Sequence, residues 1–467
     1  MDKICPVVPL PLDEVVLADL MEDAKDFAFS HGLVFKLRKV LPYDYSVTFI
    51  PFALLPSPWP KDQYDMVCQL QKDINLIYYR VSNNFDFLKK SLQQICEFDE
   101  WTRRLWQIYE RTYESQKDVL SLCIMRSDYM VGHDGLAKQI EVNTISAGFG
   151  GVSPIMLAQH KYIMSKLHLH NFRRALPENA GTRVALGLAQ AWEAYGNREA
   201  VICFVVEDVV YNTYDQRQKE LALTEKYGID THLIVRKKNS DLLRVCVKDG
   251  KLFLDNIEIA VVYMRTWYDP SQINSEELWR IRELIEKSRA IKCPNIAWHL
   301  SGSKKIQQEL ARPGVLERFC DDVEQVRRVR SVFAGLYVLE EAKTLEMVLA
   351  DPERFVLKPQ REGGGHNIYG RDIVPFLKSL PAPRRHEFIA MDIIEPVSCK
   401  NYLVNRDKIT FTEVANELGI FGYVLGDFRR IVHNEANCGW IFRAKDAKST
   451  EGGIAAGYGH LDSPSLV

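Results

Sequence analysis

The stretch Phe355-Val-Leu-Lys358-Pro-Gln-Arg361-Glu362-Gly-Gly-Gly-His-Asn367-Ile-Tyr369 is the sharpest local signal in the chain. A strand-like apolar run ends in Lys358 and leads into the triplet Gly363-Gly364-Gly365. Glycines let backbone N–H groups approach an anion closely, and a lysine at a strand end supplies the opposite charge. The spacing is not that of a P-loop. A hairpin turn with charged flanks is the alternative, but the order of basic, acidic and glycine residues favours a phosphate cradle with a carboxylate for its metal.

A second signal lies upstream, where residues 138–151 read KQIEVNTISAGFGG. Ile140, Val142 and Thr144 alternate with Glu141 and Asn143, and this period of two predicts a strand. The two polar side chains then share one face, about 6.6 Å apart along the strand. Carboxylate and amide oxygens suit Mg²⁺. A solvated strand face agrees equally well with this segment alone, but the glycine-rich exit favours a binding site.

Several cationic side chains stand beside predicted strands. Arg126 lies just upstream of the glutamate strand, Arg265 ends the apolar run 259–264, and Arg443 and Lys445 precede the glycine-alanine segment 451–457. Ligands collect at the carboxyl ends of strands in α/β sheets, and an arginine there can clamp a carboxylate with two hydrogen bonds. A surface ion pair is the alternative for each of them. Because no nucleophile–base pair accompanies these groups, they indicate phosphate chemistry.

Composition narrows the class of protein. The 467 residues include 60 Lys+Arg and 62 Asp+Glu, for a net charge of −2, and 46% are hydrophobic. This is the balance of a folded protein rather than a disordered one, and it gives no overall basic excess for nucleic acid or acidic membranes. The ten cysteines are dispersed without a CxxC pair, which favours reduced thiols over zinc or disulfides. The N-terminus has no charged and apolar leader, so we expect a soluble, cytoplasmic protein.

The order of predicted elements suggests three regions: 1–200, 201–300 and 301–467. The first is predicted to be mainly helical before the glutamate strand, with helices from Asp13 to Gly32 and over residues 98–122. The second alternates: strands at 201–206, 231–236 and 259–265, a helix at 216–227, and a hairpin turning at residues 248–250. A further helix is predicted to begin at Asn274, with Glu277 three residues later. This second region is the best candidate for a separate α/β domain.

Two polar residues, Asn212 and Gln216, flank Asp215 where a strand passes into a helix. They fit helix caps and ligand contacts equally well.

Several longer motifs, taken in order, resemble those of eukaryotic glutathione synthetases. They are RSDYM, QIEVNTISAGFGG, YNTYDQR, VVYMR, CPNIA…GSKKIQQEL, FVLKPQREGGGHNIYG, NELGIFG and EGGIAAG, between about residues 100 and 460. The resemblance implies an α/β (α+β) fold: a circularly permuted ATP-grasp architecture with an inserted substrate-binding domain and a glycine-rich lid. It further implies a homodimer that joins γ-glutamylcysteine to glycine, consuming ATP with Mg²⁺ and passing through an acyl phosphate.

The same resemblance assigns roles to individual residues. Those implied for Mg²⁺ are Glu141, Asn143 and Glu362. Those implied for ATP are Glu141, Lys304, Lys358, Glu362, Gly363, Gly364, Asn367, Tyr369, Met391, Asp392, Ile394, Glu417, Lys445 and Glu451. Those implied for the peptide are Arg126, Ser146, Asn212, Gln216, Arg265, Tyr268, Arg443, Ile454 and Ala455. Arg126, Lys304, Lys358 and Arg443 are expected to act in catalysis.

Some positions depart from the family pattern. Gly148 stands where relatives often carry a second serine, Val210 replaces a polar residue, and Asp392 and Glu451 exchange Asp and Glu. These changes leave the reaction class intact and bear on the substrate pocket. Two alternatives remain open: a related ATP-grasp carboxylate–amine ligase with another amine acceptor, and an inactive nucleotide-binding homologue.

Overall fold

The structure, a computed structural model, describes residues 3–37, 46–169, 175–360, 367–406, 408–450, 452–454 and 457–467. Helices up to residue 169 are α1 (Glu14–His31), α2 (Lys61–Ser82), α3 (Phe85–Phe98), α4 (Glu100–Gln116) and α5 (Ser153–Lys166). Strands in the same part are β1 (Val34–Lys36), β2 (Val47–Phe49), β3 (Phe52–Ala53), β4 (Ser57–Trp59), β5 (Ser121–Val131) and β6 (Ala137–Asn143).

The middle of the chain alternates between helices and strands. Its helices are α6 (Val184–Tyr195), α7 (Thr213–Glu225), α8 (Asn239–Leu242), α9 (Glu276–Lys287), α10 (Ile296–Ser301), α11 (Lys304–Ala311) and α12 (Val323–Ser331). Its strands are β7 (Val201–Val205), β8 (Ile234–Lys237), β9 (Val245–Lys248), β10 (Lys251–Leu254), β11 (Ile257–Met264) and β12 (Ile291–Cys293).

The last part is rich in strands. Its helices are α13 (Ala342–Ala350) and α14 (Ile373–Ser379). Its strands are β13 (Leu336–Val338), β14 (Phe355–Pro359), β15 (Ile368–Tyr369), β16 (Phe388–Asp392), β17 (Ser398–Asn405), β18 (Lys408–Gly426), β19 (Ile431–Glu435), β20 (Trp440–Asp446), β21 (His460–Asp462) and β22 (Pro464–Leu466). The predicted mixed α/β class is confirmed.

One large sheet organises the molecule and comprises 14 strands among the described residues. The long strand β18 lies at its centre and pairs antiparallel with β5 on one edge and β20 on the other. Strand β5 pairs antiparallel with β6 and parallel with β12, and β12 continues into β11 and β7. The strands of region 201–300 therefore extend the same sheet that carries the glutamate strand.

A separate four-stranded sheet, in the order β13-β16-β14-β15, carries Lys358 on β14. It has a hydrophobic core of its own, distinct from the main core. The buried members are Leu339, Val348, Phe355, Leu357, Ile373, Leu377, Leu380 and Ala390. The two sheets therefore pack on separate hydrophobic cores.

Helix ends follow local capping chemistry. Asp13 accepts hydrogen bonds from the backbone N–H groups of Val15 and Val16, and Gly32 ends α1 in the left-handed conformation at φ 76°, as predicted. The predicted helix over residues 98–122 is wrong at both ends, because Asp99 caps α4 and β5 already begins at residue 121.

Two predicted boundaries in the middle region shift. Residues 231–233 form a 3₁₀ turn before β8 instead of opening a strand. Ser275, not Asn274, is the cap of α9, since its hydroxyl accepts a hydrogen bond from the backbone N–H of Leu278. The hairpin of β9 and β10 turns at Asp249 and Gly250, both with positive φ, as its sequence predicts.

Candidate active site

A cavity of about 450 Å³ lies where the two sheets face each other. Strands β5, β6, β18 and β20 line it from the large sheet, and β14, β15 and β16 line it from the small one. Every described residue that the sequence analysis assigned to a site lies on its wall. They are Arg126, Glu141, Asn143, Ser146, Asn212, Gln216, Arg265, Tyr268, Lys304, Lys358, Asn367, Tyr369, Met391, Asp392, Ile394, Glu417, Arg443, Lys445 and Ile454.

The remaining assigned residues fall outside the described part of the chain. They are Glu362, Gly363, Gly364, Glu451 and Ala455. Of the stretch that contains the glycine triplet, the structure describes Lys358 on β14 and Tyr369 on β15. The role of the triplet stays a prediction.

The floor of the cavity is a buried cluster of charges on three neighbouring strands. Asp128 on β5 is completely buried, and its oxygens accept hydrogen bonds from Arg126 Nε and Nη2 at 2.5 and 2.7 Å. Its Oδ2 also accepts one from Arg443 Nη2 at 3.2 Å on β20. Arg443 in turn contacts Glu417, its cross-strand neighbour on β18. Each cation is thus bordered by a carboxylate, which offsets part of the cost of burial.

Gly419 makes this cluster sterically feasible. It lies opposite Asp128 in the pairing of β18 with β5. A Cβ at this position would overlap Asp128 Oδ1 and lie 2.7 Å from Arg126 Cδ. Only glycine at this position of β18 therefore leaves room for the side chains of Asp128 and Arg126.

A second charged group lies at the end of β6. Lys304 Nζ, at the start of α11, lies 3.0 Å from Glu141 Oε2, and Lys358 Nζ donates to the carbonyl of Ile140 at 3.3 Å. Burial disfavours the charged form of Glu141, but the nearby Lys304 and Lys358 outweigh it and hold the pKa of Glu141 well below its usual range. The carboxylate is consequently ionised at neutral pH.

The donor set at this point fits a hard cation. Asn143 Nδ2 donates to Glu141 Oε1 at 3.1 Å, so the two side chains share one face of β6 as the alternation predicts. Carboxylate and amide oxygens are ligands that Mg²⁺ accepts. Among the described residues no cluster of three or more His, Cys, Asp or Glu side chains could hold a metal. The third ligand implied by the resemblance, Glu362, belongs to the part not described.

On the small-sheet side, polar contacts join the cavity wall to the segment that follows β20. Tyr369 OH and Lys445 Nζ both donate to the carbonyl of Thr450, each at 3.2 Å, and Asn367 Nδ2 donates to Tyr369 OH at 3.0 Å. Asp392 accepts hydrogen bonds from Tyr337 on β13 and from Arg354 just before β14. The cavity mouth is therefore bridged between β15 and residue 450.

The opposite end of the cavity is built by the loop after β6 and the strands of region 201–300. Arg265, buried at the end of β11, donates from Nη1 to the carbonyl of Ala147 at 3.2 Å. Gln216 accepts from Arg236 at 2.8 Å, and Ser146 Oγ donates to the carbonyl of Met264 at 3.0 Å. The bonds of Arg265 and Ser146 fix the loop against the end of β11, and the bond between Gln216 and Arg236 joins α7 to β8.

Asp215 clamps the same loop from α7. Its carboxylate accepts hydrogen bonds from the backbone N–H groups of Phe149 and Gly151, at 2.9 and 2.7 Å, and from Lys219 Nζ at 3.0 Å. Burial raises the pKa of Asp215, but Lys219 and Arg265 reverse the shift and lower it. Asp215 is thus a charged support for the glycine-rich exit.

Sequence reasoning missed three carboxylates: Asp128, Asp215 and Glu207. Asp128 stands two residues after Arg126, and Asp215 lies between the two polar residues already chosen, so both were visible as neighbours of assigned positions. Glu207 belongs to none of the motifs found in the sequence, and its position on the cavity wall is what identifies it.

A cavity in a mixed α/β protein, lined by several arginine and lysine side chains together with carboxylates, defines a site for small charged ligands. The family model described as "Eukaryotic glutathione synthase, ATP binding domain" matches residues 14–466 of this chain. The chain belongs to the eukaryotic glutathione synthase family. The predicted family and enzyme class are confirmed, and the ATP-grasp architecture agrees with them.

Individual relatives cover nearly the whole chain. The glutathione synthetases of Mus musculus and Homo sapiens are 38% and 37% identical, each over 97% of this chain and 98% of the relative. The chloroplastic glutathione synthetase of Solanum lycopersicum is 36% identical over 100% of this chain and 87% of the relative. Among solved structures, a glutathione synthetase like-effector from Globodera pallida in apo form matches with a TM-score of 0.78 at 27% identity, covering 98% of both chains.

Proposed function

We propose that this protein is an ATP-dependent ligase that joins γ-glutamylcysteine to glycine, forming glutathione, ADP and phosphate. The observation that carries the proposal is the convergence of the assigned cations and carboxylates on one cavity. Family membership supplies the reaction class.

The nucleotide is proposed to lie between the sheets. Lys304, at the start of α11, and Lys358, on β14 of the small sheet, both line the cavity and both lower the pKa of Glu141. Two lysines in this position would bind the phosphates of ATP, while Met391 and Ile394 offer apolar surface at the small sheet. Mg²⁺, held by Glu141, Asn143 and Glu362, would neutralise phosphate charge when bound.

In the first chemical step, the cysteinyl carboxylate attacks the γ-phosphorus, ADP leaves, and an acyl phosphate remains. The two lysines stabilise charge that builds up on the transferring group. Arg443, held between Asp128 and Glu417, is oriented before the substrate arrives.

In the second step, the neutral amine of glycine attacks the acyl carbon, phosphate leaves from the tetrahedral intermediate, and the nitrogen gives up one proton to the departing phosphate. Arg126 is the proposed stabiliser of its oxyanion. The guanidinium is fixed through Nε and Nη2 to Asp128, and its Nη1 is directed toward the Gly148 carbonyl at 3.5 Å on the cavity wall. Preorganised donors lower the barrier because they need no rearrangement during the reaction.

Water has to be excluded, since it would hydrolyse the acyl phosphate. Residues 447–454 line the cavity apart from the undescribed Glu451, and the hydrogen bonds to Thr450 hold this segment against Tyr369. We propose that it forms part of the lid, together with the glycine triplet.

The direct test is ADP release from ATP and Mg²⁺ with γ-glutamylcysteine and a panel of amines. Glycine should be the preferred acceptor. A ligase that prefers another amine would support the first alternative, and ATP-induced thermal stabilisation without turnover would support the inactive homologue.

Two substitutions sharpen that assay. Lys358→Ala and Glu362→Ala should each lower turnover by at least ~10²-fold. Lys72→Ala removes an exposed lysine from α2 away from the cavity and should leave turnover unchanged. Normal turnover in either of the first two variants would contradict the phosphate-site assignment.

The proposal includes a homodimer, which the family resemblance implies, and a cytoplasmic location. Light scattering during size-exclusion chromatography tests the first, and imaging of the tagged protein in its native cells tests the second. No helix of the described residues has the length and apolarity to cross a membrane.

A further inference from the structure

Glu207 is a carboxylate on the cavity wall that has no role in the mechanism above. The described part of the wall carries the carboxylates of Glu141, Glu207, Asp392 and Glu417. The other three each contact a lysine or an arginine. Within the described chain, no cationic side chain forms an ion pair with Glu207; its partners are neutral.

The hydrogen bonds of Glu207 leave its charge available. Tyr268 OH and Gln272 Nε2 both donate to Oε1, at 2.8 and 2.9 Å. No described residue donates to Oε2. Two neutral donors orient a carboxylate without compensating its charge, so a cation entering from the cavity would gain a charge-assisted hydrogen bond.

A rigid turn holds this arrangement in place. Trp267 is 1% exposed and adopts a left-handed backbone conformation, φ 69°, which is strained for a tryptophan. Its indole N–H donates to Asn239 Oδ1 at 2.9 Å, and Asn239 Nδ2 donates to the Gln272 carbonyl at 3.1 Å. Gln272 Oε1 then accepts from the backbone N–H of Tyr268 at 3.0 Å. The donors to Glu207 are thus fixed before any ligand binds.

The same end of the cavity also has a positively charged side chain, Arg265, and an amide oxygen, that of Asn212, which accepts no hydrogen bond from a described residue. A Cβ on Gly148 would lie 3.5 Å from Arg265 Nη2 and 3.7 Å from Asn212 Nδ2, which is ordinary contact. Glycine is therefore not required by packing, and its lack of a side chain widens this corner. Asn212 Oδ1 is buried and accepts no hydrogen bond from a described residue. The guanidinium of Arg265 can bind a carboxylate. The carboxylate of Glu207 and the amide oxygen of Asn212 can bind an ammonium group. Together these side chains match the two charges of an α-amino acid group.

We propose that Glu207 is a specificity-determining residue that binds the α-ammonium group of the donor peptide, with Arg265 on the α-carboxylate beside it. The inference rests on the proposed function, because that function supplies a peptide with a free α-amino acid end.

The test combines a change in the protein with a change in the substrate. Wild-type enzyme and Glu207→Gln are assayed with γ-glutamylcysteine and with glutarylcysteine, which is identical except that hydrogen replaces the α-ammonium. Wild-type enzyme should prefer γ-glutamylcysteine in kcat/KM by about 10- to 100-fold, the cost of losing a charged hydrogen bond. Glu207→Gln should lose most of that preference, leaving turnover of glutarylcysteine and the KM for ATP within about twofold of wild type.

Asp208→Asn is the matched control, because it removes the same charge from the next, exposed residue. It should keep the wild-type preference, and Glu207→Asp should keep part of it. Equal losses for both peptides in Glu207→Gln would overturn the proposal, since Glu207 would then only hold Tyr268. A wild-type enzyme that turns over γ-glutamylcysteine without preferring it would also overturn the proposal while leaving the proposed function intact. Turnover of neither peptide would overturn both.

Discussion

The Arg126 guanidinium lies along the completely buried Asp128 carboxylate, with two hydrogen bonds of 2.5 and 2.7 Å between side chains two positions apart on one strand. The same carboxylate contacts Arg443. Asp128 therefore lies between two cations that would otherwise repel each other in a buried site, and it is a positioning residue for both.

Asp128→Asn tests this arrangement. Removing the shared negative charge leaves two guanidinium groups close together, so we expect at least one to turn away from the cavity and ADP release to fall by about 10²-fold or more. Glu97→Gln removes an exposed carboxylate on α3 and should leave the rate unchanged. Full activity in Asp128→Asn would show that the arginines are held without it.

Gly419→Ala approaches the same cluster from the neighbouring strand. The added methyl group would lie 2.7 Å from Arg126 Cδ, so Arg126 or Asp128 has to move. We expect a loss of turnover similar to that of Asp128→Asn, with a smaller loss in thermal stability. If turnover survives while stability falls, the side chains have rearranged without consequence for catalysis.

Asp215→Asn should destabilise the protein strongly. The substitution leaves Lys219 buried without its partner and weakens the support for the backbone of Phe149 and Gly151. Breaking one side of a buried ion pair costs about 3–5 kcal/mol. Urea unfolding followed by tryptophan fluorescence would measure it. The double variant Asp215→Asn/Lys219→Met should recover part of the loss, and no recovery would mean that the backbone contacts matter more than the charge.

His299 is expected to make stability depend on pH. Burial, with a smaller contribution from Arg282, lowers the pKa of His299 to about 3. The unfolded chain takes up the proton near pH 6.5. Stability is therefore fully present above that pH and is lost as the pH falls toward 3, by up to about 1.4 kcal/mol per unit. His299→Phe should flatten the decline in urea midpoint between pH 7 and 5, whereas His232→Gln, at an exposed site, should not.

Asp462 should act in the opposite direction. Burial raises the pKa of Asp462 to about 7, despite hydrogen bonds from Ser57, Ser463 and Asn416 that favour its charged form. The folded protein holds this proton between about pH 4 and 7 while the unfolded chain releases it. Its contribution to stability is thus fully present below pH 4 and is lost as the pH rises through 7. Asp462→Asn should remove this dependence, and an unchanged pH profile would contradict the assignment.

Local chemistry in the sequence accounts for much of this structure. Asp13 and Gly32 mark both ends of α1, and alternation on β6 places Glu141 and Asn143 on one face, because caps and pleats depend on near neighbours. The direction of the Asp128 side chain could not be predicted from such a local pattern. All residues of β5 are buried, so its burial pattern contains no alternation that would indicate a face.

Long-range contacts account for most of what the sequence could not predict. Asp215 and Phe149 are 66 positions apart, and Arg443 and Asp128 are 315 apart. Such pairs depend on strand order and register, which are set by packing of the whole sheet. Glu207 is the clearest case, since only the turn at Trp267 gives that carboxylate its neighbours.

The small sheet forms a cassette within the chain. It begins after α12 and ends before β17, and its core shares no residue with the main one. The residues at one end of the cavity thus come mainly from a continuous segment of sequence that has its own hydrophobic core. The residues at the Glu207 end come from the large sheet and its loops. Mutations can therefore accumulate at the Glu207 end without disturbing the cassette. The two ends of one cavity can therefore diverge in sequence independently of each other.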